Sequence, residues 1–226
     1  MSFSFVKLPE LDFELNSETT PYGRYYATPK GKYASITTVL SHFGNKKALQ
    51  EWRNRVGEEQ ANKITHQAAS RGTAMHTVCE DLLNGKVNSF YMMKLMPHIK
   101  ELFLQLKPII TDKVNNVYAI EQPLFSNHLK VAGRVDCIAE YDGKISIIDY
   151  KTSTKEKRED WIENYFLQCT AYAIMFEEIT GKKVEQIVVM IACETGFAQV
   201  FIKKPDDYKE KLEEYVKKYY LTCDEV

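Results

Sequence analysis

The sequence predicts an α/β protein in which a helical region precedes a sheet-bearing core, and three observations carry that expectation. Apolar residues recur at helical spacing through much of 35–107, between breaks at Gly44-Asn45 and Asn84-Gly85. From Lys113 the pattern becomes alternating, and Asp142-Gly143 separates two such runs as a two-residue type I′ hairpin signal. The order helices, three strands, helix, strands, helix then places one α/β core behind the helical region.

Residues 1–34 read as an irregular arm. Within it Tyr25-Tyr26-Ala27 and Tyr33-Ala34 flank the turn signal Pro29-Lys30-Gly31, so a small hairpin fits. Ser35 or Thr37 can cap a short helix through Phe43. Helices are expected over 46–56 and 58–83, and another over 89–107, with Pro97 as a kink or break and Pro108 as the stop. Strands are expected over 117–124, 130–141 and 144–151. A helix over 160–180, stopped by Gly181, two strands over 184–193 and 197–202, and a last helix over 206–220 complete the chain. This divides it into an arm (1–34), a helical region (35–112) and a core (113–226), together forming one domain.

With 226 residues and 44% hydrophobic content the chain can bury a full core, which excludes general disorder and a disulfide-held miniprotein. Its 30 Lys+Arg balance 31 Asp+Glu, so any contact with nucleic acid must come from a local patch rather than a global field. The five cysteines, Cys79, Cys137, Cys169, Cys193 and Cys223, form no C-x-x-C pair. A disulfide framework, a zinc site and an iron–sulfur cluster are therefore not expected. The first residues lack the apolar stretch of a signal peptide, Glu10, Asp12 and Glu14 are foreign to a transit peptide, and no run reaches membrane-span length. A cytoplasmic setting without membrane attachment is the expectation.

The chemistry concentrates in 133–153. If Asp142-Gly143 forms the turn, Tyr141 pairs with Lys144, and counting back places Asp136 directly across from Asp149. Two carboxylates so placed repel, and a divalent cation between them reverses the sign. Lys151, two residues after Asp149, points to the same face. An ammonium beside a carboxylate-bound metal suits phosphodiester hydrolysis, where it offsets developing negative charge. On the long helix, His76 and Glu80 are four apart and share a face, so an imidazole can add a ligand and Arg71 can hold a carboxylate or phosphate.

Gly133-Arg134-Val135-Asp136 with Ile148-Asp149-Tyr150-Lys151-Thr152-Ser153 resembles the signature of the PD-(D/E)XK nuclease family in its RecB-like form. Arg71-Gly72-Thr73 with His76 and Glu80 resembles the preceding helical motif, and Gln168-x-x-x-Tyr172 the following one. Glu121, in Ile120-Glu121-Gln122-Pro123, falls where the family has an acidic residue on the strand before. Within that family the chain resembles the mitochondrial genome maintenance exonuclease branch and its phage-borne relatives, over roughly 33–191.

The resemblance implies a restriction-endonuclease-like mixed sheet flanked by helices. It implies an Mg²⁺- or Mn²⁺-dependent DNA exonuclease that prefers single strands with free ends, serving replication, repair or recombination alongside unidentified proteins of those processes. His76, Asp136 and Asp149 would hold the metal with the Tyr150 carbonyl assisting, and Asp136, Asp149 and Glu121 would be catalytic together with Lys151, the catalytic lysine. Arg71, Thr73, Glu80, Thr152, Ser153, Gln168 and Tyr172 would organise the site or touch the DNA backbone. Lys155, Lys157 and Arg158 form a basic run that phosphates could contact. Two other readings stay open. A flap or structure-specific endonuclease on the same scaffold would cut circular single strands, and a catalytically idle module that binds DNA ends would cut nothing.

Overall fold

The sheet begins in the arm. The computed structural model describes residues 3–223, so Met1, Ser2 and 224–226, which the sequence assigns to the arm and the core, lie outside the described residues, as does the side chain of Cys223. Strands β1 (Ser17–Thr20), β2 (Gly23–Thr28) and β3 (Gly31–Ser35) form a meander. The expected hairpin is β2–β3. β1 escapes the sequence pattern because its four residues bury almost nothing, so no alternation marks it. The Ser35 hydroxyl accepts the Thr38 N–H at 3.0 Å and caps α1 (Ile36–His42).

Helices α2 (Lys46–Val56) and α3 (Glu58–Leu83) match their predicted spans. α2 buries no residue, and the first half of α3 buries only Ala61, so this part stands out from the body. Two helices replace the expected span 89–107: α4 (Ser89–Lys94) and α5 (Pro97–Lys113), with Pro97 opening the second. Pro108 is not the stop. It lies inside α5, whose apolar face of Ile99, Leu102, Phe103, Leu106 and Ile110 continues across it. The carbonyl it leaves without a donor belongs to Leu104, which is 47% exposed and open to water. Packing outweighs the local cost.

The core continues with β4 (Val114–Ser126), β5 (Val131–Tyr141), β6 (Lys144–Lys155), α6 (Glu163–Thr180), β7 (Gln186–Thr195), β8 (Gln199–Lys203) and α7 (Lys209–Cys223). Among the described residues these strands and the meander make one eight-stranded sheet, ordered β1-β2-β3-β5-β6-β7-β8, with β4 along the other edge of β5. β3–β5 and β6–β7 are parallel and the remaining pairs antiparallel, so the sheet is mixed, as expected. Alternate strand residues face opposite layers. Ile147, Ile187, Val189 and Ile191 pack with α1, α6 and α7, while Ile148, Tyr150, Val188 and Met190 pack with α3 and α5. Each such aliphatic chain contributes roughly 1.5–3 kcal/mol relative to exposure. No helix among the described residues is long and apolar enough to cross a membrane.

One edge of β5 is shared by two neighbours that do not meet. β3 pairs with Val131 and Ala132, and β6 pairs from Cys137 onward. Between them the edge at 133–136 has no strand partner among the described residues, and α6 lays a side chain over the face of β5 there. A Cβ on Gly133 would lie 2.7 Å from the Tyr172 ring and 3.0 Å from its hydroxyl. Gly133→Ala is therefore expected to cost about 1–3 kcal/mol by overpacking, read as a lowered melting temperature. An unchanged melt would show that the ring can retreat.

Candidate active site

The β5–β6 hairpin keeps its predicted register from Tyr141↔Lys144 through Cys137↔Ile148. The next step, where the sequence places Asp136 opposite Asp149, does not form a pair. The Asp136 carboxylate instead accepts the Tyr150 backbone N–H through Oδ2 at 2.9 Å, so a side chain takes the place of a ladder bond. The physical reason is the repulsion that the register would impose. Each acid finds its own cation: His76 Nδ1 lies 3.4 Å from Asp136 Oδ1, and Lys151 Nζ lies 2.6 and 2.5 Å from the two oxygens of Asp149. The strands fork there, and the site occupies the fork.

Three ligand atoms meet on the α3 side. His76, Glu121 and Asp136 each offer one within 4.8 Å of the others. His76 comes from α3, Asp136 from β5 and Glu121 from β4. Glu121 has φ +49, a left-handed backbone that costs a non-glycine residue roughly 1–2 kcal/mol. Its neighbours Ile120 and Gln122 pair with Cys137 and Val135, and its own carbonyl accepts a short hydrogen bond from the Arg134 guanidinium. Strain held in place by a cation beside a carboxylate cluster makes Glu121 a candidate for the site. Imidazole and two carboxylates form a donor set that suits a divalent ion with oxygen and nitrogen preference. Asp149 is not among these three atoms. It is close enough that Asp136 and His76 both act on its ionisation.

Electrostatics follow from burial and pairing. Burial alone would lower the His76 pKa, but its hydrogen bond and charge interaction with Asp136 raise it to about 9. Against its burial, Asp136 is held below the usual carboxylate range by His76, with help from Lys151 and the Tyr150 N–H. Burial and the Asp136 charge push Glu121 up to about 6. Burial raises Asp149 to about 6 although Lys151 opposes it. Lys151, nearly buried, is held above its ordinary value by Asp149 and Asp136.

The other predicted residues divide into those near the fork and those beyond it. The Arg71 Nε donates to Thr152 at 3.1 Å, and its Nη1 pairs with Glu194 at 2.6 Å. Thr73 and Glu80 line a cavity of about 320 Å³ with His76 and Glu121. The Gln168 amide lies 3.3 Å from Asp149 Oδ1 and 3.4 Å from the Tyr172 hydroxyl. Ser153 turns to the Lys155 carbonyl at 2.6 Å instead. Lys155 lies four strand residues, roughly 13 Å, past Lys151. The Lys157 N–H is taken by Gln199, and Arg158 grips Asp160. None of the three basic residues enters the ligand cluster. Arg134, Glu194 and Tyr165, whose ring centroid is 5.1 Å from Lys151 Nζ, take part in the site without having been singled out for it. Only Arg134 carried a local signal, through its place beside Asp136. The cysteines Cys79, Cys137, Cys169 and Cys193 are buried and free.

A family model described as the PD-(D/E)XK nuclease superfamily matches residues 47–223. Mitochondrial genome maintenance exonuclease 1 of Xenopus tropicalis is 27% identical over 241 aligned positions, which cover 92% of this chain and 66% of that protein. The human protein of the same name is 29% identical over 148 positions, covering 61% of this chain and 42% of its own length. An ATP-dependent helicase/nuclease component of Clostridium botulinum is 31% identical over 68 positions, 30% of this chain and 6% of that protein. The chain thus spans 42–66% of the length of the two exonucleases. With the family match running from α2 through the forked sheet to α7, this chain belongs to the PD-(D/E)XK nuclease superfamily.

Proposed function

We propose that this protein is a metal-dependent DNA exonuclease that hydrolyses phosphodiester bonds in single strands with free ends. One observation carries the reading: the His76–Glu121–Asp136 donor set sits at the same strand fork as the Lys151–Asp149 pair. His76, Glu121 and Asp136 would hold Mg²⁺ or Mn²⁺, with Asp149 and the Tyr150 carbonyl as further donors. When bound, the ion polarises a phosphoryl oxygen and lowers the pKa of water. Asp149 and Asp136 favour the charged form of Lys151 against its burial, which suits it to act as a positive charge. Its ammonium orients the attacking water and offsets the charge that develops on the phosphate. Asp149, itself accepting from the Gln168 amide, fixes that ammonium, and Arg71 with Thr152 offers a phosphate contact. Support for a nucleic-acid contact comes from α2, which buries nothing and carries Lys46, Lys47, Arg53 and Arg55 on the part that stands out from the body.

The test follows end-labelled single and double strands, and a circular single strand, with Mg²⁺, Mn²⁺ and a chelator. Stepwise shortening of linear single strands that stops with chelator is expected. Cutting of the circle would replace the exonuclease by an endonuclease, and no cutting of any substrate would leave only a DNA-binding module.

The same groups set a pH dependence. Below about 9, His76 carries a proton that a metal ion must displace, and below about 6 Glu121 carries another. Apparent Mn²⁺ affinity is expected to rise about tenfold per pH unit from 6 to 9, and more steeply below 6. Calorimetric titration at several pH values reads this directly. A flat profile would remove His76 from the donor set.

A further inference from the structure

Leading away from Lys151, the start of α6 and the turn before it carry an aromatic pair that the reaction above does not use. The Tyr165 ring lies 5.1 Å from Lys151 Nζ. Four residues earlier stands Trp161, in the 3₁₀ turn Glu159–Trp161. Trp161 is 67% exposed, a costly position for the largest apolar side chain. It is not loosely placed. The Arg158 guanidinium lies 5.4 Å from the indole centroid and is fixed by two hydrogen bonds to Asp160, at 3.0 and 2.9 Å. The Gln199 side chain accepts the Lys157 N–H at 2.6 Å and donates to the Lys157 carbonyl at 2.9 Å, and Lys203 pairs with Glu159 at 2.6 Å. An indole held in solvent, with a cation over the ring, leaves surface on which a flat aromatic partner can stack.

We propose that Trp161, four residues before the Tyr165 ring that borders Lys151, is a stacking site for bases of the single-stranded DNA substrate. The inference rests on the exonuclease reading and deepens it. Four residues separate Trp161 in the 3₁₀ turn from Tyr165 at the start of α6, so their backbones lie within about 14 Å, a few nucleotide steps of about 3.4 Å, and the two rings suit nucleotides close to the scissile bond. Cations flank the pair at both ends, Lys151 and Arg158, where the phosphates of the same strand would run. A duplex keeps its bases stacked on one another and cannot offer them to these rings. The pair would thus favour single strands.

The experiment measures binding of a fluorescein-labelled oligothymidylate, and of a duplex of equal length, by anisotropy in chelator so that the strand stays intact. Trp161→Ala is expected to weaken single-strand binding by about 5- to 150-fold, the range for losing one base–aromatic stack. Trp161→Phe should keep most of the affinity, and the salt slope should not change, because no charge is removed. In a Trp52→Phe protein, whose remaining tryptophan is Trp161, the oligonucleotide should quench the fluorescence. Parental binding by Trp161→Ala, equal losses for single strand and duplex, or no quenching would each overturn the stacking site. If the parent cleaves linear single strands while the Ala variant binds them normally, the stacking site alone falls. If the parent neither binds nor cleaves them, the exonuclease reading falls first.

Discussion

Lys151→Ala is expected to lower the cleavage rate by about 10²–10³-fold, the usual scale for removing one positioned group that offsets transition-state charge. It should also make the stability of the protein more sensitive to pH. Lys151 is the cation on Asp149, which is 1% exposed and already raised to about 6 with the ammonium present. Removing one partner of a buried pair costs roughly 3–5 kcal/mol when the remaining charge cannot escape. Asp149 has an escape, since it can take up a proton. A carboxyl whose folded pKa stands above its unfolded value stabilises the fold below the unfolded pKa and loses that contribution as pH rises through the folded one. In the wild-type protein that window lies between about 4 and 6, and without Lys151 it extends upward. Melting temperatures of Lys151→Ala should therefore match the parent more closely at pH 5 than at pH 8. The double variant Lys151→Ala/Asp149→Asn should recover folding at pH 8 without recovering cleavage. If cleavage survives in Lys151→Ala, the lysine does not carry the chemistry.

How much of this site the sequence disclosed depends on the range of the interaction. The hairpin could be read because Asp142-Gly143 fixes a two-residue turn, and counting outward from it gave each pair as far as Cys137↔Ile148. The count failed at Asp136 and Asp149 because it treats strands as ladders, whereas at that step a carboxylate competes with the partner carbonyl for the Tyr150 N–H. Side-chain charge, not backbone pattern, ends the pairing. His76 could be placed on a helical face by spacing, but that this face meets β4 and β5 is a tertiary fact. Glu194 illustrates the limit: it reaches Arg71 across 123 residues of sequence, and no local pattern announces the contact. The strained backbone at Glu121 was equally hidden, since φ +49 at a glutamate contradicts local preference and survives only through neighbouring strand pairs and Arg134.

Asp136 offers the second large effect because it does two jobs with two oxygens. Oδ2 accepts the Tyr150 N–H and so shapes the fork, while Oδ1 faces His76 within the donor set. Asp136→Asn keeps an acceptor for the N–H and removes the charge. It is expected to leave folding nearly intact, to return His76 toward its ordinary pKa, and to reduce Mn²⁺ affinity by more than the ~10–100-fold typical of losing a supporting residue. Asp136→Ala removes both functions and orphans a buried donor, so a further loss of about 1–3 kcal/mol in stability should appear beside the lost affinity. Calorimetric titration with Mn²⁺ and thermal melts of both variants separate the jobs. If Asn and Ala variants are equally stable, the fork does not depend on the Tyr150 contact. If the Asn variant binds Mn²⁺ as the parent does, the ion is held elsewhere, and Asp149 with Glu121 become the acids to remove next.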